Sequence, residues 1–203
     1  DAAPLARATM AENITDLGGA RLALGGGVYT VSRPLVVPMY VGNLRVEDGT
    51  LRASASFPPD EYLVVVGDAS CDPPSGQASC NEYVDLSGVF LDARHVAAGG
   101  ARLAHGMGAT LRDVFVTGFN AVGVRLDGGH EVMLQDCWLA EYYWDEAHGG
   151  APTRSVGVQI NGNDHLLDNV IVFDYAHVGV QVNGAANVLT TVHTWNGGGV
   201  GIE

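Results

Sequence analysis

Four segments decide the fold: Gly123-Val-Arg-Leu-Asp-Gly128, Gly157-Val-Gln-Ile-Asn-Gly162, Gly179-Val-Gln-Val-Asn-Gly184 and Gly199-Val-Gly-Ile-Glu203. Their first glycines are offset by 34, 22 and 20 residues, and a looser copy, Gly100-Ala-Arg-Leu-Ala104, begins 23 residues before Gly123. A second repeat runs between them: Asp113-Val-Phe-Val-Thr117, Asp136-Cys-Trp-Leu-Ala140, Asn169-Val-Ile-Val-Phe173 and Thr191-Val-His-Thr-Trp195. Two short apolar strands per period in the low twenties, with no helical segment, describe a solenoid whose units bury their apolar side only against neighbouring units. The expected fold is therefore an all-β parallel β-helix with coils of about 22–25 residues.

Because strand side chains alternate, stacking the coils predicts which residues share a column. Val124 and Leu126, Val158 and Ile160, and Val180 and Val182 are expected inside, which sends Arg102, Arg125, Gln159 and Gln181 outward as one strip suited to carboxylates and hydroxyls. In the second repeat Phe115, Trp138, Ile171 and His193 are expected outside, then Thr117, Ala140, Phe173 and Trp195. One position further, Glu141 falls beside Asp174, close to His193 and to Tyr142, Tyr143 and Trp144. Two carboxylates beside aromatic rings are what glycoside hydrolysis uses, one as acid and one as base or nucleophile. A solvated surface pair is the plainer alternative. A second candidate set is His130-Glu131 stacked over Asp164-His165, each histidine facing a carboxylate, as an acid/base group or a metal site or as mutually satisfied turns. Asp127, Asn161 and Asn183, each followed by glycine, read as a ladder bonding its own turns.

The remaining sequence bounds the class. The chain has 203 residues, net charge −13, ten arginines and no lysine, which speaks against nucleic acid or an anionic membrane as partner. No apolar run approaches the length of a membrane span, and no nucleotide-binding loop or nucleophilic-serine elbow occurs, so no cofactor is expected. Cys71 and Cys80 bracket a Pro/Gly/Ser loop, and a disulfide there suits an oxidising compartment; Cys137 reads as a core residue. Asn13-Ile-Thr15 is a glycosylation pattern. Residues 2–17 suggest a short helix capping the solenoid, and Glu141 to Thr153 is an insertion of about a dozen residues, of the kind that gathers on a binding face. Residues 1–203 are expected to form one β-helix domain. Glu203 stops inside a repeat strand, so the solenoid is expected to continue in a longer protein, and a secretory leader to have been removed.

With these residues in place, Gly42-Asn-Leu, Gly49-Thr-Leu-Arg-Ala-Ser54, Gly128-Gly-His-Glu131, Glu141-Tyr-Tyr-Trp144, Gly162-Asn-Asp-His165 and Val192-His-Thr-Trp-Asn-Gly-Gly-Gly-Val-Gly201 resemble the QUARTET-type polygalacturonases of plants and green algae. The resemblance implies a right-handed parallel β-helix of the pectin-lyase-like superfamily and a secreted hydrolase of α-1,4 galacturonan in the cell wall. The Asp-Asp, Gly-His-Gly and Arg-Ile-Lys motifs of family-28 polygalacturonases are not in this sequence, so the resemblance carries the substrate class rather than the catalytic residues. A non-catalytic carbohydrate-binding or structural wall protein is the alternative, and a calcium-dependent pectate lyase a third reading. The oligomeric state is left open.

Overall fold

In the computed structural model, residues 19–71, 79–141, 154–195 and 197–203 are described. The expected helix over 2–17, the Asn13 acceptor, Tyr142, Tyr143 and Trp144 lie outside them. Every strand pairing is parallel, and successive partners lie one coil apart along the chain. One sheet runs through Ala20–Ala23, Leu44–Ala53, Val84–Asp92, Thr110–Arg112, Met133–Ala140, Leu166–Phe173 and Val188–Thr190, with Val28–Val31, Phe115–Thr117 and His193–Trp195 alongside. The other runs Leu35–Val37, Tyr62–Val66, Gly99–Ala104, Val122–Asp127, Val156–Asn161, Val178–Val182 and Val200–Ile202. A short pair, Asn81–Glu82 with Gly106–Met107, continues as a bridge to His130 at the turn between the sheets. The chain is a parallel β-helix, as its repeat requires.

The first sheet is bent along its length. Asp48, Gly88, Asp113, Asp136, Asn169 and Thr191 all have φ between 52° and 62°, and the register on either side stacks them in one column. Asp and Asn tolerate this left-handed geometry better than other residues with a Cβ, and Asn169 Nδ2 bonds Asp136 Oδ1 at 2.7 Å across two coils. The Asp48-Gly49 pair is thus a corner inside one ten-residue strand, Leu44–Ala53.

The first glycine of the repeat has a packing reason. A Cβ at Gly123 would lie 2.6 Å from the Gly157 carbonyl oxygen, one at Gly157 2.6 Å from that of Gly179, and one at Gly179 2.5 Å from that of Gly201. Real Cβ atoms do not approach so closely, so each coil needs glycine for its backbone to seat on the next. Inside, apolar side chains stack coil on coil: Leu111, Leu134 and Leu167 from the first limb of the bent sheet, Val116, Leu139 and Val172 from the second, Leu103, Leu126 and Ile160 from the other sheet. Cys137 joins them, its thiol bonded to the Leu111 carbonyl and pushed up to about 12 by burial. Cys71 and Cys80 form the expected disulfide, with Cα atoms 6.2 Å apart.

Candidate functional site

On the outer face of the second sheet, Arg102, Arg125, Gln159 and Gln181 stack in direct register. Two residues along each strand, Asp127 and Asn161 form a second column. The columns are cross-linked: Arg102 Nε and Arg125 Nε donate to the two oxygens of Asp127, each at 2.8 Å, and Asn161 Nδ2 adds a third bond at 2.8 Å. Asn183 donates to Asn161 Oδ1, Gln159 to Gln181, and Gln181 to Glu203. Burial alone would raise the Asp127 carboxyl; the bonds from Arg125, Asn161 and Arg102 outweigh it and hold the group below the usual carboxylate range. Burial alone would lower the Arg125 guanidinium; its bond with the charged Asp127, aided by Tyr62, outweighs that and raises it above its ordinary value. Burial raises the buried Tyr62 phenol, while its bond with Arg125 opposes that rise. Asp127 therefore orients two guanidiniums through their Nε atoms. Sequence reasoning treated it as one rung of a turn ladder. The missed signal was an aspartate where the neighbouring rungs carry asparagine, two residues along the strand from the column of Arg102 and Arg125.

The turns that lead into this sheet hold Glu141 and Asp174. Glu141 is fully enclosed, at 0% exposure. Its Oε2 accepts the Ser155 hydroxyl and the Ala176 amide (2.8 Å), and Ser155 Oγ accepts the same amide at 3.2 Å. The expectation of an outward Glu141 beside Asp174 is corrected here. Stacking fixes the position of a turn residue but not the direction of its side chain, and an unpartnered amide and hydroxyl inside would cost about 1–3 kcal/mol each. Asp174 is half-buried, in left-handed backbone (φ 48°), two residues before the amide that Glu141 holds.

The aromatic residues lie elsewhere. Trp138, Ile171 and His193 stack in register on the second limb of the first sheet, next to the column of Phe173 and Trp195. Phe173 and Trp195 rings stack at 5.2 Å, and Trp138 meets Phe173 edge-on at 5.9 Å. Trp138 and Trp195 are each 46% exposed, and His193 is exposed. The fold thus places His193 and Trp195 on one sheet and the Arg102–Arg125–Gln159–Gln181 strip on the other.

The turns leaving the second sheet divide the other candidate set. His130 Nδ1 stands 3.8 Å from Asp164 Oδ2, with both side chains open to water, 38% and 53% exposed. Glu131 is exposed, and its amide bonds the Asp164 carbonyl at 3.1 Å. His165 does not face Glu131. It is 1% exposed, its Nδ1 accepting the Val132 amide at 3.1 Å, while buried Nε2 meets no partner in hydrogen-bonding geometry. Burial lowers this imidazole below its usual range, and the nearby Gly128 carbonyl and Asp164 charge oppose that without cancelling it. His165 is thus enclosed within the turn, where it holds the Val132 amide, and does not open onto the outer face.

Over 200 residues, 94% of its length, the chain is 35% identical to Polygalacturonase QRT3 of Arabidopsis thaliana. It belongs with the QUARTET-type polygalacturonases. The chain spans 40% of that relative's length. No protein-family model matches it. The crystal structure of Dettilon tailspike protein shares the fold, with a TM-score of 0.56 over 94% of this chain and 41% of that one, at 15% identity. The polygalacturonase relationship thus comes from sequence, and the tailspike likeness concerns the β-helix alone.

Proposed function

We propose that this chain carries the β-helix of a glycoside hydrolase that cuts α-1,4 galacturonosyl bonds of cell-wall pectin. The observation that carries the reading is the identity with Polygalacturonase QRT3 along nearly the whole chain. The outer face of the second sheet supplies the matching chemistry. Uronate carboxylates pair with the Nη ends of Arg102 and Arg125, a planar bidentate match, and Gln159 and Gln181 take sugar hydroxyls. The Cys71–Cys80 disulfide suits secretion.

Hydrolysis of a glycosidic bond needs one carboxyl as acid and another as base or nucleophile. With Glu141 enclosed, the Asp174–Glu141 pair does not meet that need. The leaving turns are better furnished: Asp127, held below the usual carboxylate range, suits the base or charge-stabilising role, and Asp164, open to water beside His130, is the partner carboxyl we assign to the acid role. Asp174 lies at the far end of a five-residue strand, Val178–Val182. At about 3.3 Å per residue that is roughly 16 Å, beyond the ~6.5–9.5 Å of an inverting pair, so it borders the face and binds substrate there. His193 and Trp195 stack sugar beyond that corner.

Release of reducing ends from polygalacturonate by the full protein tests this. Asp164→Asn is expected to cut the rate by about 10²–10⁴-fold, and Asp174→Asn by far less. The reverse order would move the chemistry to the entering turns. A second reading, a carbohydrate-binding wall protein without catalysis, is favoured by the saturation of Asp127 with three donors. It predicts that the parent binds oligogalacturonate and releases nothing. Unsaturated product abolished by chelation would instead indicate a calcium-dependent lyase.

A further inference from the structure

The first limb of the bent sheet holds a concavity that the proposed hydrolysis does not use. A cleft of about 430 Å³ is lined by Arg21, Asn43, Arg45, Tyr83, Asp85 and Thr110, among others. A smaller one of about 110 Å³ shares Arg45, Asp85 and Thr110 and extends the lining to Arg112. The larger volume falls in the range of pockets that enclose small ligands.

The charges in this cleft do not balance. Arg21 and Arg45 stand directly opposite each other on neighbouring strands, an arrangement of like charges that is unfavourable in a sheet. Arg21 is tied through Nε to the buried carboxylate of Glu47. Arg45 makes one long contact, 3.3 Å, to Asp85. Arg112 donates to Gln135, a neutral amide. Three guanidiniums thus meet two carboxylates, in a chain of net charge −13. On the same wall Tyr83 leaves 45% of its surface open, with Asn43 and Thr110 beside it as hydroxyl partners.

We propose that this cleft is a second binding site, on a different sheet from the Arg102–Arg125 face, for a sugar acid. The carboxylate sits between Arg45 and Arg112, and the ring packs on Tyr83. The demand for an anion comes from the cleft itself, whereas the choice of a uronate rests on the polygalacturonase reading.

The test titrates short oligogalacturonate, its methyl ester and inorganic phosphate into the full protein, following Tyr83 and neighbouring amides by NMR. The free acid is expected to shift them. Arg45→Gln with Arg112→Gln is expected to weaken that site by roughly tenfold or more, whereas Arg125→Gln leaves those shifts in place. The methyl ester is expected to bind at least as poorly as the acid binds the double variant. Arg45 and Arg112 are exposed and Arg125 is half-buried, so an unchanged thermal midpoint separates lost binding from lost folding. Acid binding unaffected by the double variant, or ester binding equal to acid binding, overturns the site. Phosphate shifting the same amides as strongly as the acid overturns the sugar assignment. Because the readout is binding at Tyr83, a parent without hydrolytic activity would sink the proposed function and leave this inference standing or falling by its own measurement.

Discussion

The two sets of turns that flank the second sheet use charge in opposite ways. At the entering side a glutamate, Glu141, is drawn wholly inside and spent on an amide and a hydroxyl. At the leaving side the carboxylates of Asp127 and Asp164 face outward, and a histidine, His165, is drawn inside instead. Each turn therefore has one polar side chain that closes it, and on the leaving side Asp164 remains open to water. Type of residue alone does not say which is which, since both turns offer acids.

The contrast can be broken most sharply at Glu141. Replacing it with alanine leaves the Ser155 hydroxyl and the Ala176 amide without their acceptor, and a loss of about 3 kcal/mol is expected by urea denaturation. Glu141→Ala with parent stability and no activity would show that the entering turn is chemical after all. A smaller effect is expected from Asp127→Asn, on the order of 1 kcal/mol, because its arginine partners are partly exposed and screened. The same substitution should lower the affinity for oligogalacturonate, since the two guanidiniums lose the carboxylate that aims them. Unchanged affinity would detach Asp127 from the site.

The subtlest difference lies in pH. The folded state holds His165 with a lowered pKa, so the unfolded chain binds its proton more readily. The stability that neutral His165 contributes is complete above the ordinary histidine value, about 6.5, and is lost as the pH falls from there toward the lowered folded value. Urea midpoints of the parent should drop between pH 7 and 5 more steeply than those of His165→Gln. Parallel curves would mean that His165 is not kept neutral by its surroundings.

Much of this architecture was legible in the sequence because the strand period is rigid. The pairing of Arg102 with Arg125, Gln159 and Gln181, and of Phe115 with Trp138, Ile171 and His193, follows from counting residues in the repeat. Alternation ends where the strand ends, and there the reading failed. Asp164 and Asp174 both adopt left-handed backbone, which redirects the chain and leaves neighbours such as His165 to point inward. The number of sheets was the other blind spot. Aligned columns show which residues stack but not whether two columns share a face, so the place of His193 and Trp195 relative to the arginine strip could not be read from the repeat. Asp127 was passed over because a ladder of Asn and Asp explains itself through turns, without asking what charge stands next to it.

Glu141 and Ser155 stand on either side of residues 142–154 in the sequence, and their side chains bond each other. That bond makes the interval a socket. The coil above and the coil below are locked to each other at its base through Ala176, so the length of chain plugged in between is decoupled from the stacking of the solenoid. Doubling such a segment costs only about 0.6 kcal/mol in loop-closure entropy. A protein engineer can therefore exchange what is carried at this corner while keeping the same β-helix beneath it, provided the glutamate and the serine stay.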